Sequence, residues 1–193
     1  MDFKLVDSFT SNIANLKIKD IYSTLEGDDA SDIPFAVWLL ENPDSPIPMP
    51  GKISLYNHDI LHILLGRDKS SQDEAFIVGF TMGNDPKTNW WHLLIYKLFS
   101  YFVYPSVYKF NQDHLKVFDL GFAYGRSLKF KKIHQIEFTE YQDCSLASLR
   151  NQFGIKLDEI KQLRQVEKSL IPDSATSQSL VSPQKPISEY VIA

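Results

Sequence analysis

Two imidazoles and two carboxylates crowd one stretch of the chain: His58, Asp59, His62 and Glu74 fall within 17 residues. Imidazole nitrogen and carboxylate oxygen are the donors a protein offers a divalent cation when it has no thiolate to give. The pattern predicts a helix over residues 54–65, stopped by Gly66 in a left-handed cap. At about 100° per residue, His58, Asp59 and His62 share one arc of that helix and can address a common point. Residues 67–72 are a polar connector of the length found in antiparallel helical hairpins, so Glu74 is expected to fold back beside His62. Asp59 is expected either to ligate or to orient one imidazole from behind. The helix is otherwise apolar at Ile60, Leu61, Ile63, Leu64 and Leu65, and ionisable groups buried there need the compensation a cation supplies. The plainer reading is a pair of histidines lining a helix beside solvated acids. Among metals, zinc ranks first, with iron, cobalt, manganese and magnesium also open to such donors.

The elements around this cluster read as helices. Leu5, Phe9, Ile13 and Leu16 suggest a short packing helix, and residues 35–40 are a second apolar run that ends before Pro43, Pro46, Pro48 and Pro50. A helix opening near Asp73 carries Ala75 to Met82 and ends at Gly83 and Asn84. Gly79 and Gly83, four apart, either end that helix or allow another to pack closely on it. Trp91, Leu94, Ile95, Leu98 and Phe102 recur at helical spacing, which predicts a buried core helix or, alternatively, a lipid-facing one. His92, Lys97 and Pro105 interrupt this most apolar stretch, so it does not read as a membrane span. Further helices are expected over residues 112–128, over 145–152 with Gly154 as the stop, and from a cap at Asp158 through Leu170. A strand is allowed over residues 130–138. The expected fold is a mainly α, single-domain helical bundle over residues 1–170, followed by a flexible tail over 171–193 that holds three prolines.

Composition narrows the function classes. The chain has 193 residues, a net charge of -4 and one cysteine, Cys144. The negative balance disfavours nucleic acid as a partner, and the lone cysteine excludes an internal disulfide framework or a thiolate-built zinc site. No signal or transit peptide is visible at Met1, which leads to an expected cytoplasmic location. Acids exceed bases by seven over residues 1–74, whereas bases exceed acids by three over the remainder. Arg126, Lys129, Lys131 and Lys132 form a basic cluster that is either a solvated face or a contact for anionic head groups at a membrane surface.

His-Asp-x-x-His followed after eleven residues by Glu, with Gly66 between, resembles the signature of the ubiquinone biosynthesis family of the fourth coenzyme Q protein. Gly121-Phe-Ala-Tyr-Gly125-Arg126 and Leu149-Arg150-Asn-Gln-Phe-Gly154-Ile155 are similar to a small-residue helix and a closing segment of that family, so the resemblance spans residues 35–155. It implies an α-helical protein that binds a divalent metal through His58, Asp59, His62 and Glu74 and handles a polyprenylated aromatic precursor of a quinone. In the family the protein is seen both as an organiser of the biosynthetic enzymes and as the catalyst that replaces a ring carboxyl by hydroxyl. Without a presequence and with an unmatched tail, the chain reads as a bacterial homologue. Other quinone-biosynthesis proteins, an isoprenoid lipid, a peripheral membrane contact and a second copy of the chain are the partners to expect.

Phe76, Phe80, Trp91, Phe102 and Phe122, together with Trp90 and Phe99, are the aromatic candidates for lining a groove for the prenyl tail, and Arg126 and Lys129 for meeting its head group. Two further readings compete with a quinone-biosynthesis enzyme. One is a non-catalytic lipid-binding scaffold with a structural metal. The other is a zincin-like peptidase, weakened because Asp59 stands where that motif carries a glutamate. No phosphate-binding glycine loop or nucleophile elbow is present.

Overall fold

The computed structural model describes residues 11–24, 35–47, 49–106 and 108–174. They are mainly α-helical: α1 (Ser11–Ala14), α2 (Ile18–Tyr22), α3 (Phe35–Glu41), α4 (Leu55–Leu65), α5 (Ser71–Asn84), α6 (Trp90–Leu98), α7 (Gln112–Ser127), α8 (Leu146–Phe153) and α9 (Leu157–Leu170). A π-helical turn, Phe99–Val103, continues α6. The segment that allowed a strand holds two 3-10 turns instead, Ile133–Gln135 and Phe138–Tyr141. Its apolar residues Ile133 and Phe138 serve the core as single anchors rather than as one face of a ladder. Among the described residues the β pairing is a single bridge, Lys17 with Ser145. The expected tail lies largely outside the described residues, as does the start of the first apolar run, of which α1 and α2 are the described part.

Local signals set the helix ends. Gly66 closes α4 at φ 59° and Gly154 closes α8 at φ 72°, both left-handed positions that favour glycine. The Ser70 hydroxyl accepts from Asp73 N and opens α5, three residues before the expected start. Helix α9 begins at Leu157 with Lys156 as its cap, so Asp158 lies in the first turn, where its charge favours the helix dipole instead of capping it.

Helix α5 is the spine. Its Phe76, Ile77 and Phe80 belong to the larger core, with Leu61, Leu64, Phe153 and Ile160; its Ala75, Val78 and Met82 belong to a smaller one, with Leu40, Tyr96 and Phe118. Helix α7 runs parallel to it with backbones in contact. A Cβ placed on Gly79 would lie 2.1 Å from the Phe118 carbonyl oxygen, and one on Gly83 would lie 2.1 Å from that of Phe122. From the other side, a Cβ on Gly121 would lie 2.1 Å from the Phe76 carbonyl oxygen, and one on Gly125 would lie 2.2 Å from that of Phe80. The partner numbers rise together, which makes the pair parallel. The Gly79–Gly83 spacing is thus a packing device matched by Gly121–Gly125, of the small-xxx-small kind.

Helix α6 corrects the expectation of a core helix. Trp90, Trp91, Leu94, Ile95, Leu98, Phe102 and Val103 are exposed, whereas Tyr96 is buried and Leu93 and Phe99 pack on the smaller core. The sequence stripe is one of two apolar faces, and the other face is the one that is buried. No helix of the described residues is long and apolar enough to cross a membrane.

Gly121→Ala is expected to destabilise the fold by about 2–3 kcal/mol, because neither backbone can yield to the added methyl. Urea unfolding measures this. A loss below about 0.5 kcal/mol would show that α5 and α7 are not in backbone contact.

Candidate metal centre

Helix α4 is buried from Asp59 to its Gly66 cap, and its last carbonyls are met by cations. Arg150 Nε donates to Leu64 O at 2.8 Å and its Nη2 to Ile63 O at 3.3 Å; Arg164 Nη2 donates to Gly66 O at 2.9 Å. Positive charge at a helix C-terminus is favourable, and here it also satisfies buried acceptors. Burial pushes the Arg150 guanidinium down to about 10.

The turn from α4 into α5 is held by a buried four-charge cluster. Arg67 Nη1 lies 3.2 Å from Asp73 Oδ1 and 2.5 Å from Glu167 Oε2, and Arg164 Nη1 lies 2.6 Å from Asp73 Oδ1. The Arg67 guanidinium, fully buried, also lies over the Phe76 ring at 3.5 Å from its centroid. Burial and the neighbouring Arg164 lower Arg67 to about 10, against the pull of Glu167 and Asp73. Asp73 is depressed: burial raises it, and the two arginines outweigh that. Removing one member strands opposite charges in the core.

This turn sets Glu74 against the histidines. His62 Nε2 lies 3.2 Å from Glu74 Oε1 and His58 Nε2 lies 3.3 Å from Glu74 Oε2, so one carboxylate spans both rings. One ligand atom from each of the three residues lies within 4.8 Å of the others. The ring centroids are 4.7 Å apart with planes at 70°. His62 Nδ1 is 3.2 Å from the Arg67 carbonyl oxygen, an acceptor only, so Nδ1 carries the proton and Nε2 presents its lone pair. Both Nε2 atoms are buried without an aligned hydrogen bond to protein, so their closeness to Glu74 is electrostatic. The His62 lone pair and the His58 Nε2, both buried and both facing one carboxylate, fit a cation. The side chain of His62 is 1% exposed, that of His58 15% and that of Glu74 33%, which leaves the centre open on the Glu74 side.

Asp59 does not join the converging atoms. It is buried and acts on the Tyr22 hydroxyl, which burial and then the Asp59 charge raise above the usual tyrosine range. One position along α4 turns a side chain by about 100°, enough to send Asp59 to α2 while His62, one turn on, stays beside His58.

The aromatic candidates separate. Phe76 and Phe80 are fully buried core residues, Phe76 beneath Arg67 and Phe80 beside Tyr124. Phe122 is half-buried with Arg126 over it, and Phe99 packs inward, whereas Trp90, Trp91 and Phe102 are exposed. Arg126 Nη2 donates to Thr88 O at 2.9 Å, near the start of α6, and Lys129 is exposed.

Sequence reasoning missed three polar residues that line cavities in this half of the fold. Glu41, at the end of α3, accepts from Tyr96 Oη at 2.8 Å and from Tyr104 Oη at 2.9 Å. Asp85 and His134 are buried 3.4 Å apart and line a cleft of about 610 Å³, within the range of small-molecule pockets. Residues 49–53 form a wall common to this cleft and to a smaller cavity lined by His58 and Glu41. An acid ending the apolar run 35–40 was the available signal for Glu41; nothing local marked the pairing of Asp85 with His134.

Compared with protein-family models, curated proteins and solved structures, the chain matches none.

In the metal-free protein His58 is raised: burial lowers it, and the Glu74 charge outweighs burial. Glu74 is held well below the carboxylate range: burial raises it, and His62 and His58 outweigh that. A raised histidine contributes stability below its unfolded value, near 6.5, and loses it as pH rises through the folded value. A depressed carboxylate contributes above about 4.3 and loses it as pH falls through its folded value. Chelated wild type is therefore expected to lose melting temperature, as pH rises above about 6.5, more steeply than His58→Gln; equal slopes would contradict the His58–Glu74 pair. Arg67→Ala is expected to cost about 3–5 kcal/mol in denaturant unfolding, and a loss under about 1 kcal/mol would show that the four-charge cluster does not hold the turn.

Proposed function

We propose that the chain is a divalent-metal protein of quinone biosynthesis that binds a polyprenylated aromatic precursor at the His58–His62–Glu74 centre. The observation that carries the metal is the pair of buried Nε2 atoms, neither with an aligned hydrogen bond, that converge on one carboxylate. Two imidazoles and a carboxylate are the donor set of catalytic rather than closed structural zinc sites, because a fourth position stays free. Zinc ranks first, with iron, cobalt, manganese and magnesium as the alternatives. The quinone assignment draws on the resemblance of residues 35–155.

A cation bound here supplies Lewis acidity, drawing charge from ring oxygens and easing loss of a ring carboxyl. The chain's own part is positional. The Arg67 carbonyl fixes the His62 tautomer and Glu74 spans both rings. Replacement of the carboxyl by hydroxyl releases carbon dioxide and takes its oxygen from an external oxidant such as dioxygen.

The exposed face of α6 favours a second reading, a scaffold that holds isoprenoid lipid at a membrane surface without catalysis. Trp90 and Trp91 stack with centroids 3.9 Å apart at one end of this apolar face, and exposed Lys87 and Arg126 lie near that end. Apolar residues beside bulky tryptophans and cations suit the boundary of an anionic bilayer.

Elemental analysis of purified protein is expected to find one divalent metal per chain, lost in His62→Ala; a metal-free wild type would refute the centre. Mass spectrometry of co-purified lipid is expected to find an isoprenoid, and finding none would count against both readings. With vesicles containing phosphatidylserine, the double variant Trp91→Glu, Phe102→Glu is expected to bind about tenfold or more weakly than wild type. Equal binding would remove the membrane role of α6.

A further inference from the structure

Three protein donors leave a tetrahedral cation one open position, and a further carboxylate that shares a cavity with His58 comes from α3 rather than from the histidine helix. Glu41 accepts both phenols, Tyr96 and Tyr104, on the same oxygen, Oε1. Glu41 is half-buried, and among the described residues its Oε2 accepts no hydrogen bond, which leaves that oxygen free to take one. Between Glu41 and His58 lies a cavity of about 20 Å³, walled by Val78, Thr81, Met82 and Tyr96. That is room for about one water or one ligand oxygen. The charges of His58 and Glu74 both act on Glu41, which places the three in one electrostatic neighbourhood. Asp59, the acid next to His58 in the chain, is turned toward Tyr22 and cannot serve in its place.

We propose that Glu41 is the carboxylate that faces the open position of the His58–His62–Glu74 centre across this cavity, where it takes a hydrogen bond from the oxygen ligand. This rests on the metal reading above and adds a rule of selection to it. A fixed carboxylate beside the open position favours a ligand that has an O–H to give, water or a ring hydroxyl, and repels an anion. A ring hydroxyl, not a ring carboxylate, is then the group that meets the cation. Two phenols keep Glu41 from swinging away. They belong to α6 and to the residue after the π-helical turn, so the segment with the exposed apolar face also positions this carboxylate.

The test uses the full chain loaded with cobalt(II) and titrated with azide, read from the visible cobalt bands. Glu41→Gln keeps an acceptor for both phenols. It is expected to hold one cobalt with affinity within about threefold of wild type while binding azide about tenfold more tightly, since a negative charge facing the anion is gone. Glu41→Asp, which restores the charge, is expected to return azide affinity to within about threefold of wild type. Circular dichroism checks that each variant is folded. Azide affinity unchanged in Glu41→Gln, or equal in Glu41→Asp and Glu41→Gln, overturns the role of Glu41 and leaves the metal centre standing. A wild type that takes up no cobalt in a His62-dependent way overturns the metal reading itself.

Discussion

The buried meeting of Arg67 and Arg164 with Asp73 and Glu167 is the constraint on which the site depends. It joins the turn after α4, the first turn of α5 and the far end of α9 in one set of contacts between 2.5 and 3.5 Å. Charges so deep are tolerated only when each finds its opposite, so the turn has little freedom to adopt another path. Two consequences follow for chemistry. The Arg67 backbone carbonyl is left facing His62 Nδ1, and Glu74, one residue beyond Asp73, is delivered beneath both imidazoles. The tautomer and the third donor thus follow from one short connection.

The contact of α5 with α7 fixes the other side. Four glycines let two parallel helices approach until a methyl group would overlap a carbonyl oxygen. Parallel neighbours cannot be joined by a tight turn, so the chain between Asn84 and Gln112 must travel back along the pair. Helix α6 and its π-helical turn are that return. Lying outside the pair, they bury Leu93, Tyr96 and Phe99 and leave the opposite apolar face uncovered. The same return path brings Tyr96 and Tyr104 to Glu41. Apolar surface, phenol pair and cavity beside His58 are therefore connected parts of one loop-back.

Much of this was legible in the sequence. The spacing of His58 and His62 on an apolar helix, the stop at Gly66 and the short connector to Glu74 each rest on local geometry, and each is found as expected. Asp59 was read too generously, since an arc of 100° is wide enough for its two ends to reach different neighbours. The stripe of α6 was read as core or, alternatively, as lipid-facing, and it is exposed, because periodicity marks stripes without saying which one meets a partner. The segment 130–138, rich in β-branched and aromatic residues, gave way to 3-10 turns where Ile133 and Phe138 found core positions singly.

By itself the sequence determined the helical class, most helix ends and the three converging donors, because these depend on interactions among residues close in the chain. Tertiary structure alone decided that Glu41 stands near the centre and that Asp85 pairs with His134. It also decided that Gly79–Gly83 meets Gly121–Gly125 and that Arg67 finds Glu167 across 100 residues. Such pairings depend on which distant segments the core brings together, and chain-local spacing carries no record of that choice.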